Sequence, residues 1–178
     1  MQRYFLLLCL LVAVVAVVAG PQDDLIDAIL NDDAPAINAT VIAGASLTER
    51  FEGELPIAIA THSGNYGALD TLINLGANIN DVDSEGVSLL SAAAKRGMTS
   101  AAQLLMESGA SVIKKDFGYT AFHYACEGKF KNTIRMFLEA GCSPTDPTDD
   151  GKTPLDLTSG DLEAQELVLS AINDNSTV

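Results

Sequence analysis

The sequence predicts an all-α solenoid of helix-turn-helix units with projecting loops and polar capping repeats. Three observations predict it. Gly53, Gly86, Gly118 and Gly151 recur at intervals of 33, 32 and 33 residues. A second series, Gly76, Gly109 and Gly141, trails the first by 23 residues. Related phrases follow the leading glycines: GELPIAIA, GVSLLSAAA, GYTAFHYAC and GKTPLDLTS. A fixed period of this length marks units that cannot bury their apolar faces alone and must stack to do so.

Residues 1–19 stand outside this pattern. They contain one Arg, then an unbroken apolar run from Phe5 to Ala19, followed by Gly20 and Pro21. A short basic start, an apolar stretch and small residues at Val17 and Ala19 are expected of a secretory signal peptide cut after Ala19. An uncleaved anchor is the alternative, and the run falls short of the ~20 residues a spanning helix needs.

The repeats are expected near 23–52, 53–85, 86–117, 118–150 and 151–172, with 20–172 as one domain and 173–178 as a disordered tail. In the first, Asp23, Asp24, Asp27, Asn31, Asp32 and Asp33 make the polar end that a terminal repeat requires. Asp33 is an expected N-cap, with Pro35 in the first turn behind it. In the third, Ala101, Ala102, Leu104, Leu105 and Met106 form an apolar helix face, while Gln103 and Glu107 point outward. Ala60 and Ala92 to Ala94 let first helices approach closely. Gly76, Gly109 and Gly141 are helix stops where a left-handed backbone is wanted. The loops before Gly53 and Gly118 are one residue short, which places Phe51 and Phe117 beside tight turns. Gly128 and Lys129 stand where an inter-helix glycine is expected one place later, so a reshaped loop is expected there. The last repeat is about two residues short between Ser159 and Leu162, and Asp161, Glu163, Gln165 and Glu166 make its outer side polar.

Two acidic stretches, NDVDSEG from Asn80 and DPTDDGKTPLDL from Asp146, look like the start of calcium loops. An EF-hand loop needs a bidentate Glu at its twelfth position, and Ala92 and Leu157 stand there instead. Their acidity is read as turn chemistry, and no metal site or cofactor is assigned.

These residues resemble the ankyrin-repeat family, whose unit opens with a T-P-L-H-x-A signature. Thr120, Phe122, His123 and Ala125 match it in one repeat, Thr153, Pro154 and Leu155 in the last, and GANIN at Gly76 to Asn80 matches the usual ending. The resemblance implies that His123 bonds loop backbone rather than acting as a catalyst; His62 is expected exposed at a helix end. It also implies a contact surface. Glu85, Val87, Phe117, Tyr119, Asp149 and Lys152 fall near the tips, and His62, Lys95, Arg96, Tyr124 and Glu127 along the inner helices. Phe117, Tyr119 and Tyr124 are the expected anchors, since a few aromatics dominate most interfaces.

The 178-residue chain carries a formal net charge of −14. Loss of residues 1–19 leaves nine basic against twenty-four acidic side chains, a charge of −15. Nucleic acid would be repelled and is excluded as a partner; a protein partner with a basic face is favoured. Cys126 and Cys142 remain after Cys9 departs with the signal, expected as buried thiols or as a single disulfide. Asn38 and Asn175 head glycosylation sequons, usable in a eukaryotic secretory pathway. The expectation is a monomeric, non-enzymatic, secreted protein-binding module, free of the membrane after cleavage and located outside the cell or in the secretory lumen (periplasm if bacterial). The competing readings are a membrane-tethered module and a lumenal or periplasmic protective protein.

Overall fold

The computed structural model describes residues 20–175, with side chains to Asp174. The expected signal peptide, the tail from 176 and the Ser176 and Thr177 of the second sequon lie outside the described residues, as does the Asn175 side chain. Ten helices are described, in five antiparallel pairs. They are α1 (Pro21–Leu30) with α2 (Ala34–Ile42), α3 (Pro56–Ser63) with α4 (Tyr66–Asn74), and α5 (Leu89–Lys95) with α6 (Thr99–Glu107). Then follow α7 (Ala121–Glu127) with α8 (Lys131–Glu139), and α9 (Pro154–Leu157) with α10 (Leu162–Asn175). The first helices pack in a row, α1 on α3, α5, α7 and α9 in turn, and the second helices make a parallel row behind them. No described helix is long and apolar enough to cross a membrane.

Small residues let the front row close up. Ala60, Ala92, Ala93, Ala94 and Ala125 are fully buried, so the helix axes approach without a side chain between them. Larger groups fill the layer between the rows: Leu69, Leu72, Leu105, Ile134 and Phe137 are fully buried. Phe122 meets Phe137 edge to face with centroids 6.2 Å apart. Each such side chain contributes ~1.5–3 kcal/mol through burial, and each is covered from a neighbouring unit.

The ends follow the sequence in part. The Asp33 carboxylate accepts from Ala36 N–H at 3.0 Å as an N-cap, with Pro35 in the first turn. Asp32 does more than face water, since its Oδ1 accepts from Ala68 N–H at 2.6 Å, tying the first repeat to α4. At the other end α10 runs through Asn175 and so enters the segment expected to be a tail.

The turn between the helices of each unit needs one left-handed residue. Asp32, Gly64, Gly97, Lys129 and Gly160 take it, with φ of 55°, 70°, 69°, 58° and 86°. Lys129 therefore preserves the turn that was expected to be reshaped, at the strain a side chain meets in that region. Gly128 beside it has ordinary φ and is small for a different reason: a Cβ there would lie 2.2 Å from the Phe130 ring.

Loops project from the front row and are tied to one another. Ser84 donates to Glu54 through its hydroxyl and, at 3.3 Å, its N–H. Ser88 hydroxyl donates to Asp116, and Lys115 Nζ reaches Asp149 Oδ1 at 2.7 Å. One loop is a short hairpin, with β1 (Lys115–Asp116) antiparallel to β2 (Tyr119–Thr120).

Candidate functional site

The loop tips and the exposed side of the front row form the candidate site, and its geometry starts with the turns. In the loop around Gly86, the Asp83 carboxylate accepts from Glu85 N–H and Val87 N–H, each at 2.9 Å. The acidic residue closes the turn, as its chemistry allows. Gly86 takes the left-handed conformation, leaving Glu85 at the tip, where Lys95 pairs with it at 2.7 Å. That hydrogen bond, foremost, holds the Glu85 carboxyl below its usual range. Val87 is only 2% exposed. It was expected at the contact surface and is instead a packed residue, because the Asp83 bonds turn the chain inward there.

The next loop is one residue shorter, and the consequence falls on Phe117. Asp116 pairs with Tyr119 across a two-residue turn, and the type I′ form of such turns takes positive φ at both central positions. Gly118 meets this with φ 87° and Phe117 with φ 52°. The Phe117 side chain is 76% exposed. Glu52, before Gly53 in the other shortened loop, has φ 51° for the same reason.

Behind Phe117 the aromatic residues are ordered. Tyr119 and Tyr124 lie with ring centroids 5.3 Å apart and planes tilted by 35°. Tyr124 hydroxyl donates to Asp116 C=O at 3.0 Å, and burial, ahead of Asp116 and Glu127, raises its phenol above the usual value. Lys152 Nζ donates to Tyr119 hydroxyl at 3.3 Å and pairs with Asp150 at 3.0 Å. Asp149, exposed at its tip, pairs with Lys115 and sends its N–H to Gly118 C=O at 3.1 Å. Lys95, Arg96 and Glu127 are exposed at the ends of their helices.

The two histidines differ from each other. His123 is 1% exposed. Its Nδ1 accepts from Thr120 N–H at 3.1 Å, and its Nε2–H donates to Asp146 C=O at 2.8 Å. These partners set the tautomer, and burial, foremost, lowers its pKa. Ser91 holds the equivalent place one unit earlier, and its buried hydroxyl has no hydrogen-bond partner. His62, expected exposed, is 16% exposed. It sits between Asp83 at 3.4 Å and Glu54 at 3.8 Å, and burial with Arg96 behind it lowers its pKa. Its short neighbours in sequence, Thr61 and Ser63, do not signal that side chains of two loops, Glu54 and Asp83, cover it.

Cys126 and Cys142 are free thiols, the first buried and the second half-buried. Burial pushes them up to about 12 and about 11, so both stay protonated and weakly nucleophilic at neutral pH. Among the described residues no group of three or more His, Cys, Asp or Glu is arranged to hold a metal ion. Asn38 is exposed on α2 and donates to Ala34 C=O at 2.9 Å.

With this geometry the family comparison is decisive. A family model described as ankyrin repeats (3 copies) matches residues 17–116, and one described as ankyrin repeat matches 117–149. The chain belongs to the ankyrin-repeat family. Similar relatives include the human transient receptor potential cation channel subfamily A member 1, 32% identical over 94 residues. That match covers 49% of this chain and 8% of the channel subunit. An ankyrin and IPT/TIG repeat-containing protein of Schizosaccharomyces pombe is 35% identical over 94 residues, covering 52% of this chain and 8% of that protein. The matched part is thus a small fraction of either relative's length. Ankyrin repeats mediate protein-protein interaction in general.

Proposed function

We propose that the chain is a secreted module that binds a protein through its loop tips and inner helical face, and that it works by binding and not by catalysis. The observation that carries this reading is Phe117, a large apolar side chain held out to solvent by a strained turn. Strained backbone and an exposed aromatic together are costly to keep unless something uses them. Tyr119, on the same hairpin, packs against Tyr124 with ring centroids 5.3 Å apart and adds a second aromatic group to this part of the array. Both nitrogens of His123 are engaged by backbone, which leaves that ring without a free base position. The acidic balance of the chain favours a partner with a basic surface, reached as a monomer.

Affinity capture from extracellular fluid, with the chain from Gly20 as bait, tests the proposal. The wild-type bait is expected to retain a protein that Phe117→Ala and Tyr119→Ala baits lose while keeping the wild-type melting temperature. Equal retention by all three baits would remove these loop-tip aromatics from the interface. Sequencing the N-terminus of protein recovered from the medium tests the secretory part. Gly20 is the expected first residue, and Met1 would overturn the cleavage.

A further inference from the structure

The carboxylates near the inner face are largely occupied. Glu85 holds Lys95, Asp149 holds Lys115 and Asp150 holds Lys152. Glu127 differs. It is exposed at the last position of α7, and its carboxylate makes no hydrogen bond or ion pair with any of the described residues. Tyr124 lies three residues before it, so the two side chains share one helix face.

The rings beside that carboxylate are fixed in advance. Tyr124 is anchored through its hydroxyl to Asp116 C=O, and Tyr119 lies over it at 5.3 Å. The lysines of the adjoining loops are already committed, Lys152 to Asp150 and Tyr119, Lys115 to Asp149 and Lys114 to Asp116. An aromatic face next to an unused carboxylate attracts a cation in two ways, through the ring quadrupole and through charge. A planar guanidinium can lie flat on the ring while its edge meets the carboxylate, which a compact ammonium cannot do.

We propose that Glu127 and the Tyr119–Tyr124 pair form a socket for one arginine side chain of the bound protein. The proposal rests on the reading that the inner face binds a protein, and it adds the group recognised there. Charge complementarity supports arginine, since an acidic chain draws a basic partner and Glu127 is the carboxylate left open to receive it.

The test is an NMR titration of the chain from Gly20, with resonances assigned, using the capped tripeptide acetyl-Gly-Arg-Gly-amide. The expected result is saturable shifts at the Tyr119 and Tyr124 rings and the Glu127 carboxyl, with a dissociation constant of ~1–10 mM, as a single side chain allows. The lysine tripeptide should bind several-fold more weakly, and the citrulline tripeptide, equal in shape but uncharged, should shift nothing. Glu127→Gln should lower the affinity at least fivefold, whereas Glu139→Gln, an exposed change on α8, should not. The proposal is overturned if no shift appears at Glu127 and the rings by ~20 mM, the upper reach of such weak binding. It is equally overturned if citrulline matches arginine, or if shifts are spread evenly over exposed carboxylates. Failure of the broader reading shows separately, as capture of a protein that the aromatic variants leave unchanged.

Discussion

The loop around Gly86 and the hairpin around Gly118 occupy the same place in consecutive repeats and differ by one residue. In the longer loop, the glycine alone takes the left-handed angle, an Asp83 carboxylate closes the turn, and Val87 packs inward. In the shorter one, Phe117 must share the left-handed region, and its ring is turned out to solvent. The same contrast continues one turn into the following helices. His123 bridges Thr120 to Asp146, while Ser91 reaches no partner. A difference of one residue in length thus separates a packed tip from a displayed aromatic, and in the shorter loop's repeat a long polar side chain ties the strand after the turn to the next loop.

The largest expected effect comes from removing what both loops stand on. Leu105→Ala empties a fully buried site and should cost ~2–5 kcal/mol in urea unfolding. Leu104→Ala, at 6% exposure, should fall at the low end of that range; neutrality at either would mean that the loops do not depend on the layer behind them.

Next in size is His123→Ala, which breaks the fastening on one side of the comparison only. It leaves Thr120 N–H and Asp146 C=O unpaired and should cost ~1–3 kcal/mol, with hydrogen exchange rising at 143–148 and not at 110–114.

The pH dependence sharpens the same point. His123 has a folded pKa below its unfolded value of ~6.5. Its contribution is therefore complete above ~6.5 and is lost as pH falls through the lowered folded value. Wild-type stability should decline on going from pH ~7 to ~5, and His123→Ala should decline less steeply. A slope equal to wild type would assign the decline elsewhere, with His62 as the next group to substitute.

Smaller still is Phe117→Gly. It gives the turn its preferred residue and should be neutral to ~1 kcal/mol stabilising, while retention of the captured protein disappears. The smallest change is Ser91→Ala, expected within ~0.5 kcal/mol of wild type or slightly stabilising because a buried unpaired hydroxyl is removed. A loss of more than ~1 kcal/mol would mean that Ser91 has a water-mediated partner.

The glycine period made the stacked architecture legible, because left-handed positions recur wherever the unit recurs. The two short loops were legible from the same count, and Phe117 was singled out by its place beside one of them. Val87 was not. Its burial depends on Asp83 curling the chain, and an Asp four residues before a Val carries no sign of which way the turn closes. His62 was hidden for a related reason: its cover comes from Glu54 and Asp83, in two different loops, and the nearer sequence is that of an ordinary helix end. Lys129 shows the opposite limit, since a residue with no preference for the left-handed region adopts it when its neighbours on both sides are already set. The openness of Glu127 required knowing that Lys95, Lys115 and Lys152 are paired elsewhere, which is a property of the whole surface.

The ties across the array are short in chain length. Asp32 to Ala68, among the widest of the side-chain bonds among the described residues, spans 36 positions. A growing polypeptide can therefore complete each such tie once the following unit has emerged, without waiting for its far end. Synthesis and consolidation can proceed in step, and a ribosome stalled midway would hold a finished front portion awaiting only its next layer.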